Sequence, residues 1–457
     1  MMDRVWIRRV FLSVISILVV SGSPNVKANP EQEKELIRLL SSHLASARQL
    51  DGGYRAAEAA KEAAWQGYQL ASSGMGVKVT LSASSFYTDR LEESRGVTGS
   101  TETQRSFTSN QVYITAKKPI YRRRESSAIE QAEAVFRSAE AMLSSAEYTL
   151  FGRVYLAWIE ILTARDFVMI SRDALDRAMV VRLEYERRLR SGDSTLDQLQ
   201  LEVSRQELRR TELIQAESRL ALAEQALIDI AGSNAVVPKG FTLDSAVPSP
   251  RPHTSREQIL VIVEERNPEL IAARYQEEAA FLEREKRRAD YRPTIDLYAV
   301  VSKGDNDTAS YIKDERRIGA QLSVPLYTSG ALSAAVSQAD AEYRRSQALT
   351  QAMQARLKTQ ASTAFSGMQV SLVRIRSSRI FMEAAATRAE AVHRGFLAGT
   401  TTHGELARAE TDVLRSRQQR AADMLEFAQS WALLTAMTGQ IDSVFRGESI
   451  PQQSLNP

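Results

Sequence analysis

The chain has 457 residues, 43% hydrophobic and 25% charged, enough for two or three ordinary domains or one large one. It has no cysteine, which excludes disulfides, Cys-based zinc or iron–sulfur sites, a thiol nucleophile and a lipid-modified cysteine; four histidines, at positions 43, 253, 393 and 403, leave little for a metal site. The formal net charge of +3 is carried by the first 28 residues, where Arg4, Arg8, Arg9 and Lys27 outnumber Asp3, so the remainder is near neutral and has no nucleic-acid footprint.

Residues 1–28 read as an export signal. A basic start ending in Arg8-Arg9 precedes an uncharged, mostly apolar run from Val10 to Val20, and Val26-Lys27-Ala28 places small residues at −3 and −1 of a cleavage point. A membrane anchor is the alternative, but the run falls well short of the roughly 20 residues a spanning helix needs. Beyond residue 28 no uncharged apolar run approaches that length, so a membrane role has to come from β-strands or not at all.

The mature chain opens with helices over 31–50 and 53–73. Strands follow over 76–88 and 106–119, where Val77, Val79, Leu81 and Ala83 and then Val112, Ile114 and Ala116 alternate with polar residues. The polar stretch Asp89 to Arg105 between them reads as an exposed hairpin loop. From 120 to 237 there is no proline, and strong helix formers dominate. A very long helix is therefore expected over 122–190, roughly 100 Å at 1.5 Å per residue. Its seam, Ile129, Ala132, Phe136, Ala139, Leu143, Ala146 and Leu150, resumes one stutter later at Val154, Ala157, Ile161, Ala164 and Val168. Ser191-Gly192-Asp193-Ser194 breaks it, and a second helix runs over 195–231 to Gly232.

Residues 233–255, with four prolines, read as a linker. The plan then repeats, with helices at 256–266 and 268–288, strands at 293–303 and 315–326 and a polar loop from Lys303 to Glu315. A long helix over 329–397 is broken at Ala398-Gly399-Thr400-Thr401 and followed by a helix over 402–438; 440–457 is a loosely ordered tail. Gly192 and Gly399, like Gly232 and Gly439, are 207 apart, and Pro119-Ile120-Tyr121 matches Pro325-Leu326-Tyr327 at 206. Offsets this steady indicate an internal duplication, with repeat 1 over 29–232 and repeat 2 over 256–439. Alternation alone fits two soluble hairpins with a buried face; export and duplication favour lipid-facing barrel strands. Four strands cannot close a barrel, so several copies would be required.

With these features goes a resemblance. The duplicated plan, the two strand-ending Pro-Ile-Tyr and Pro-Leu-Tyr triplets, and above all the turn Arg394-Gly395-Phe396-Leu397-Ala398-Gly399-Thr400-Thr401-Thr402-His403-Gly404-Glu405-Leu406 resemble the TolC family of outer-membrane efflux and secretion channels. The likeness covers nearly all of residues 30–440. It implies a mainly α fold with β-structure: a homotrimer forming a 12-stranded barrel in outer-membrane lipid, four strands per chain, continued by a long periplasmic helical barrel. It also implies a passive exit duct for tripartite efflux or type I protein secretion, working with a periplasmic adaptor and an inner-membrane transporter. The competing class is a periplasmic adaptor or other coiled-coil interaction protein, against which the duplication argues.

No G-x-S-x-G, H-E-x-x-H or P-loop pattern occurs, and nothing groups Asp, His and Ser as a catalytic set, so the reading is a non-enzyme without cofactor, bound metal or nucleic-acid partner. His43, His253 and His393 read as surface or cap residues. The turns Gly192-Asp193-Ser194-Thr195 and Gly399-Thr400-Thr401-Thr402 are helix caps by composition and, through the resemblance, adaptor-docking tips at the periplasmic entrance. The resemblance also assigns the tunnel mouth to Glu405, with Gln198 matching it in repeat 1 beside Asp197. Arg408 stands where a second acid is often found, Thr401 replaces a basic residue, and Phe396 stands where a hydroxyl-bearing Tyr could brace the mouth. Crowding of three Glu405 carboxylates would raise their titration; neutralisation by Arg408 at i+3 is the alternative.

Overall fold

A computed structural model describes residues 30–96, 99–246, 255–306 and 309–439. The expected signal, the C-terminal tail and the proline-rich centre of the linker lie outside the described residues. In chain order the elements are α1 (Pro30–Leu50), α2 (Gly52–Ser73), β1 (Lys78–Gly96), β2 (Gly99–Tyr121), α3 (Arg123–Ser191), α4 (Leu196–Ala231) and α5 (Leu243–Ala246). They continue as α6 (Arg256–Arg266), α7 (Pro268–Ala289), β3 (Thr294–Asn306), β4 (Ala309–Ser323), α8 (Ala331–Leu397) and α9 (His403–Thr438). The fold is mainly helical with one small sheet, and none of the described helices is apolar enough to cross a membrane.

Two compact units divide the chain, and neither coincides with a sequence repeat. One draws on residues up to Glu58, Ala141–Ile271 and the chain from Met353; the other on Ala59–Glu140 and Ala272–Ala352.

In the second unit the strands form a single antiparallel sheet in the order β1-β2-β3-β4. Register places Val79, Ala116, Ala299 and Ile318 in one row and Leu81, Ile114 and Val301 in the next, so the apolar residues of all four strands share one face. That face is open: Leu81 is 68% exposed and Ile318 80%. The opposite face carries Thr80, Ser82, Tyr113, Thr115, Tyr298 and Gln321. The two hairpins therefore do not bury an apolar face between them.

The polar stretches read as hairpin loops are strand for most of their length. Pairing runs through Asp89↔Ser106 to Gly96↔Gly99, and through Lys303↔Asp314 to Asn306↔Ala309. These stretches are mostly polar, so no hydrophobic period announces the strands, while cross-strand bonds support the first of them: Ser106 donates to Asp89 at 2.9 Å and Gln104 to Asp89 at 3.3 Å. At its other end β4 stops at Ser323, short of residue 326, because Pro325 has no donor for the ladder.

At the foot of the sheet, buried Asp296 receives Arg122 Nε and Nη2 at 2.8 and 2.7 Å and Lys117 Nζ at 2.9 Å. Arg122 also donates to Glu125, in the first turn of α3, at 2.9 Å. The network joins the start of β3 to the corner between β2 and the long helix. Nearby helices pack closely through small residues, Ser138 on α3 donating to the Ala272 carbonyl of α7 at 3.1 Å.

The first unit holds the main core. Leu150, Val154, Ala157 and Ile161 of the α3 seam are buried with Trp158 and Ile159, against Leu227 of α4, Ile259 of α6 and Phe427 and Leu434 of α9. The seam residues nearer the sheet, including Ile129, Phe136 and Leu143, are only half-buried within one chain. His43 is no surface residue: it is 6% exposed, accepts the Trp158 indole N–H at 2.8 Å, and burial pushes its pKa down, which keeps it a neutral acceptor. The first part of the expected linker also belongs to this core. Ala235, Val237, Phe241 and Leu243 are buried, and Arg165 donates to the Val237 and Pro238 carbonyls at 2.6 and 2.9 Å. Their irregular spacing follows neither the helix nor the strand period, so proline content dominated the reading there.

Candidate functional site: the paired helix turns

Positions 207 apart adopt the same local geometry at the two helix turns. Gly192 and Gly399 have φ of +82° and +75°, a left-handed conformation that a Cβ disfavours, and an added Cβ at either would meet nothing within 4 Å. These glycines therefore serve backbone direction, with open space beside them. The carbonyls closing each long helix are reached from beyond the glycine: Asp193 N–H donates to Arg188 O at 2.8 Å, and Thr400 N–H to Gly395 O at 2.8 Å. Thr400 Oγ1 donates to Gly395 O and Thr401 Oγ1 to Val392 O, both at 3.0 Å. Thr401 thus spends its hydroxyl on closing α8.

The helices that follow open with reciprocal capping boxes. Gln198 N–H donates to Thr195 Oγ1 at 3.4 Å while Thr195 N–H donates to Gln198 Oε1 at 3.3 Å. Glu405 N–H donates to Thr402 Oγ1 at 3.3 Å, and Thr402 N–H to Glu405 Oε2 at 2.9 Å. Ser194 adds a 2.8 Å bond to Gln198, and Ser191 donates to Asp193 at 2.8 Å. Asp197 sits in the first turn of α4, where the helix dipole favours a negative charge.

Glu405 is thus held by its own cap. The Thr402 backbone N–H and hydroxyl, helped by the fields of Arg408 and Arg388, hold its carboxyl below the usual glutamate range within one chain. Because the folded pKa is depressed, the stability this contact contributes is present above the unfolded pKa and is lost as pH falls through the folded one. Arg408 acts through its field; among the described residues it forms no ion pair with Glu405.

Phe396 does not stand at an opening within the chain. It is 8% exposed and clusters with Val181 and Tyr185 of α3 and Leu406 of α9, with the Arg188 guanidinium 4.9 Å above its ring. This small core brings the two turns side by side. Val181, Tyr185 and Arg188 lie on one face of α3 at steps of four and three; that spacing was legible, but nothing in sequence tied it to Phe396, over 200 residues away. A cleft beside the cluster is lined by α3, α4 and α9 and contains Glu202 and Glu410, whose carboxyl is pushed up chiefly by burial. Glu202 pairs with Arg205 at 2.7 Å. The turn residues Gly192, Asp193, Thr195, Gly399, Thr400 and Thr402 themselves are exposed.

Comparison with known proteins follows the same lines. Residues 259–440 match the family described as outer membrane efflux protein. The chain is 27% identical over 303 residues to the proteases secretion protein PrtF of Dickeya chrysanthemi, covering 64% of each chain. It is 27% identical over 179 residues to the alkaline protease secretion protein AprF of Pseudomonas aeruginosa, covering 38% of this chain and 37% of that one. It therefore spans less than two thirds of the length of these curated relatives. The crystal structure of the outer membrane protein VceC from Vibrio cholerae superposes with a TM-score of 0.73 at 18% identity, covering 91% of this chain and 99% of that one. The resemblance to outer-membrane channels and the mainly α fold with four strands that it implies are borne out.

Proposed function

We propose that three copies of this chain form a passive outer-membrane exit duct, which receives its cargo in the periplasm from an adaptor and an inner-membrane transporter. The observation that carries this reading is the sheet: one face apolar and solvent-exposed over all four strands, with β1 and β4 as unpaired edges. A four-stranded sheet of that kind is an aggregation hazard in water. In a bilayer the exposed face meets lipid, and edge-to-edge joining of three copies satisfies every ladder in a barrel of about twelve strands. The half-buried seam of α3 and the exposed Val373, Ile380 and Phe381 of α8 then find neighbours in adjacent copies. An adaptor or soluble coiled-coil protein has no use for such a sheet face.

Export of a protein by a type I system has a specific observation in its favour, since PrtF and AprF are both protease secretion proteins. Small-molecule efflux is the other cargo reading. Both require the same duct. Membrane fractionation and native mass spectrometry in mild detergent test it: a stable trimer from the outer membrane is expected, and a soluble periplasmic monomer removes the reading.

In this assembly the turns 192–195 and 399–402 are the adaptor-docking tips, and Glu405, Asp197 and Gln198, with Arg408 and Phe396 behind them, surround the tunnel mouth. Glu405→Gln isolates the charge, because Gln198 already serves the same capping role in repeat 1. The variant should keep its helix cap, weaken cation selectivity and lose block by multivalent cations in single-channel recordings. Unchanged conductance, selectivity and block would place the carboxylate on an outer surface.

A further inference from the structure

The chain's charge is unevenly distributed along its strands. Residues 117–125 hold five basic side chains against one acidic, and 284–296 hold five against three, a net +6 at the foot of the sheet. At the hairpin ends, 85–105 and 303–316 each hold three basic against four acidic, a net −2. Between the two lies the exposed apolar face.

Several of the basic groups at the foot have partners. Lys117 and Arg122 serve Asp296, Arg124 pairs with Asp290 at 3.1 Å, and Arg288 with Glu285 at 3.0 Å. Lys118 and Arg292 are exposed and form no ion pair with any described residue. Lys118 pairs in register with Leu297, which puts it on the apolar face, at the lower border of that face beside exposed Ile120. The Tyr121↔Ile295 pairing and the Arg124–Asp290 contact hold the corner after β2 against the corner before β3, where Arg292 lies. Exposed Tyr121, Tyr291 and Tyr327 lie at the same border, as amphipathic rings do at a headgroup layer.

We propose that this border is a binding collar for anionic phospholipid, in which Lys118 and Arg292 hold the lipid phosphate and so fix the depth at which the sheet sits in the bilayer. The inference rests on the sheet being membrane-embedded. A lysine at the edge of an apolar face lays its stem on hydrocarbon and lifts its ammonium to the headgroups, and the Arg292 guanidinium, at the corner leading into β3, offers the fork that suits phosphate. The opposite border also holds exposed Lys303 and Arg316 on this face, but Asp314 stands opposite Lys303 in the ladder and the border as a whole is slightly acidic, so anionic lipid is favoured at the foot and the collar gives the sheet a direction across the membrane.

The test compares the full-length protein with K118Q/R292Q and with K303Q/R316Q, which removes the same charge at the opposite border. Phosphatidylglycerol binding is titrated by native mass spectrometry from phosphatidylcholine-containing micelles, with inorganic phosphate as competitor. At roughly fivefold per cation near a lipid surface, K118Q/R292Q should weaken phosphatidylglycerol binding about 25-fold. K303Q/R316Q should bind as the unaltered protein does, and phosphate should compete poorly. Equal loss in both variants, or none in K118Q/R292Q, overturns the collar while leaving the barrel in place. An unaltered protein that stays out of micelles and bilayers removes the barrel reading and the collar with it.

Discussion

Replacing Asp296 with Ala should cost about 3 kcal/mol of stability, the largest loss expected from any single side chain at the foot of the sheet. Its carboxylate is 5% exposed and accepts two bonds from Arg122 and one from Lys117. Removing it leaves a partly buried guanidinium with Glu125 as its remaining partner, and the unmet desolvation exceeds the value of the contact itself. The lower end of the range for broken buried pairs applies, since the Lys117 head can turn to solvent. Lys117→Ala should cost under about 1 kcal/mol, as exposed pairs do. The double change Arg122→Met with Asp296→Leu should recover much of the single-mutant loss, because it leaves no orphaned charge. Chemical denaturation of the detergent-solubilised protein reads all three. If Asp296→Ala and Lys117→Ala cost the same small amount, the network is not a buried one and the corner between β2 and α3 is held by packing instead.

That network marks a limit of sequence reading. Between the first strands of the two repeats the offset is 216, matching Val79-Thr80-Leu81 to Ile295-Asp296-Leu297, so it equates Asp296 with Thr80, and alternation puts Asp296 on the polar face of β3, which is where it lies. Its partner Arg122 is 174 residues away, just ahead of a long helix, and no local pattern links them. What could be read was what repeats: the helix periods, the proline gaps, the alternating strands and the glycines 207 apart. Each is a local physical preference stated several times over. The extra strand length at Asp89–Gly96 was not legible because pairing there is specified by polar cross-strand contacts and ladder continuity. The buried stretch at Val237–Leu243 was missed because its apolar residues fill gaps in a core built by other helices. Phe396 was found by resemblance, yet its burial under Arg188 depends on two hairpin ends meeting, a tertiary fact.

At the tips the local reading goes furthest, and the second large effect is expected there. If the turns dock a partner in the proposed trimer, Gly399→Trp should abolish export while leaving the protein at ordinary levels in the outer membrane. The φ of +75° costs any non-glycine residue about 1–2 kcal/mol at this position, a penalty shared by Ala and Trp alike. Nothing lies within 4 Å of a Cβ there, so the indole would project from the turn instead of wedging the hairpin apart. Leu406 and Phe396 lie beneath the turn in a cluster that the substitution does not enter. Backbone strain and surface obstruction are therefore separable: Gly399→Ala has the strain alone, Gly399→Trp has both. If a partner's tip must approach the turn closely, Ala should retain most export and Trp almost none, and Gly192→Ala and Gly192→Trp should repeat the contrast, since Gly192 has the same conformation and the same open space. Export by Gly399→Trp at the unaltered level would reduce the turns to helix caps. Equal loss in Ala and Trp would assign the effect to the backbone of the hairpin and remove the docking surface from this end of the chain.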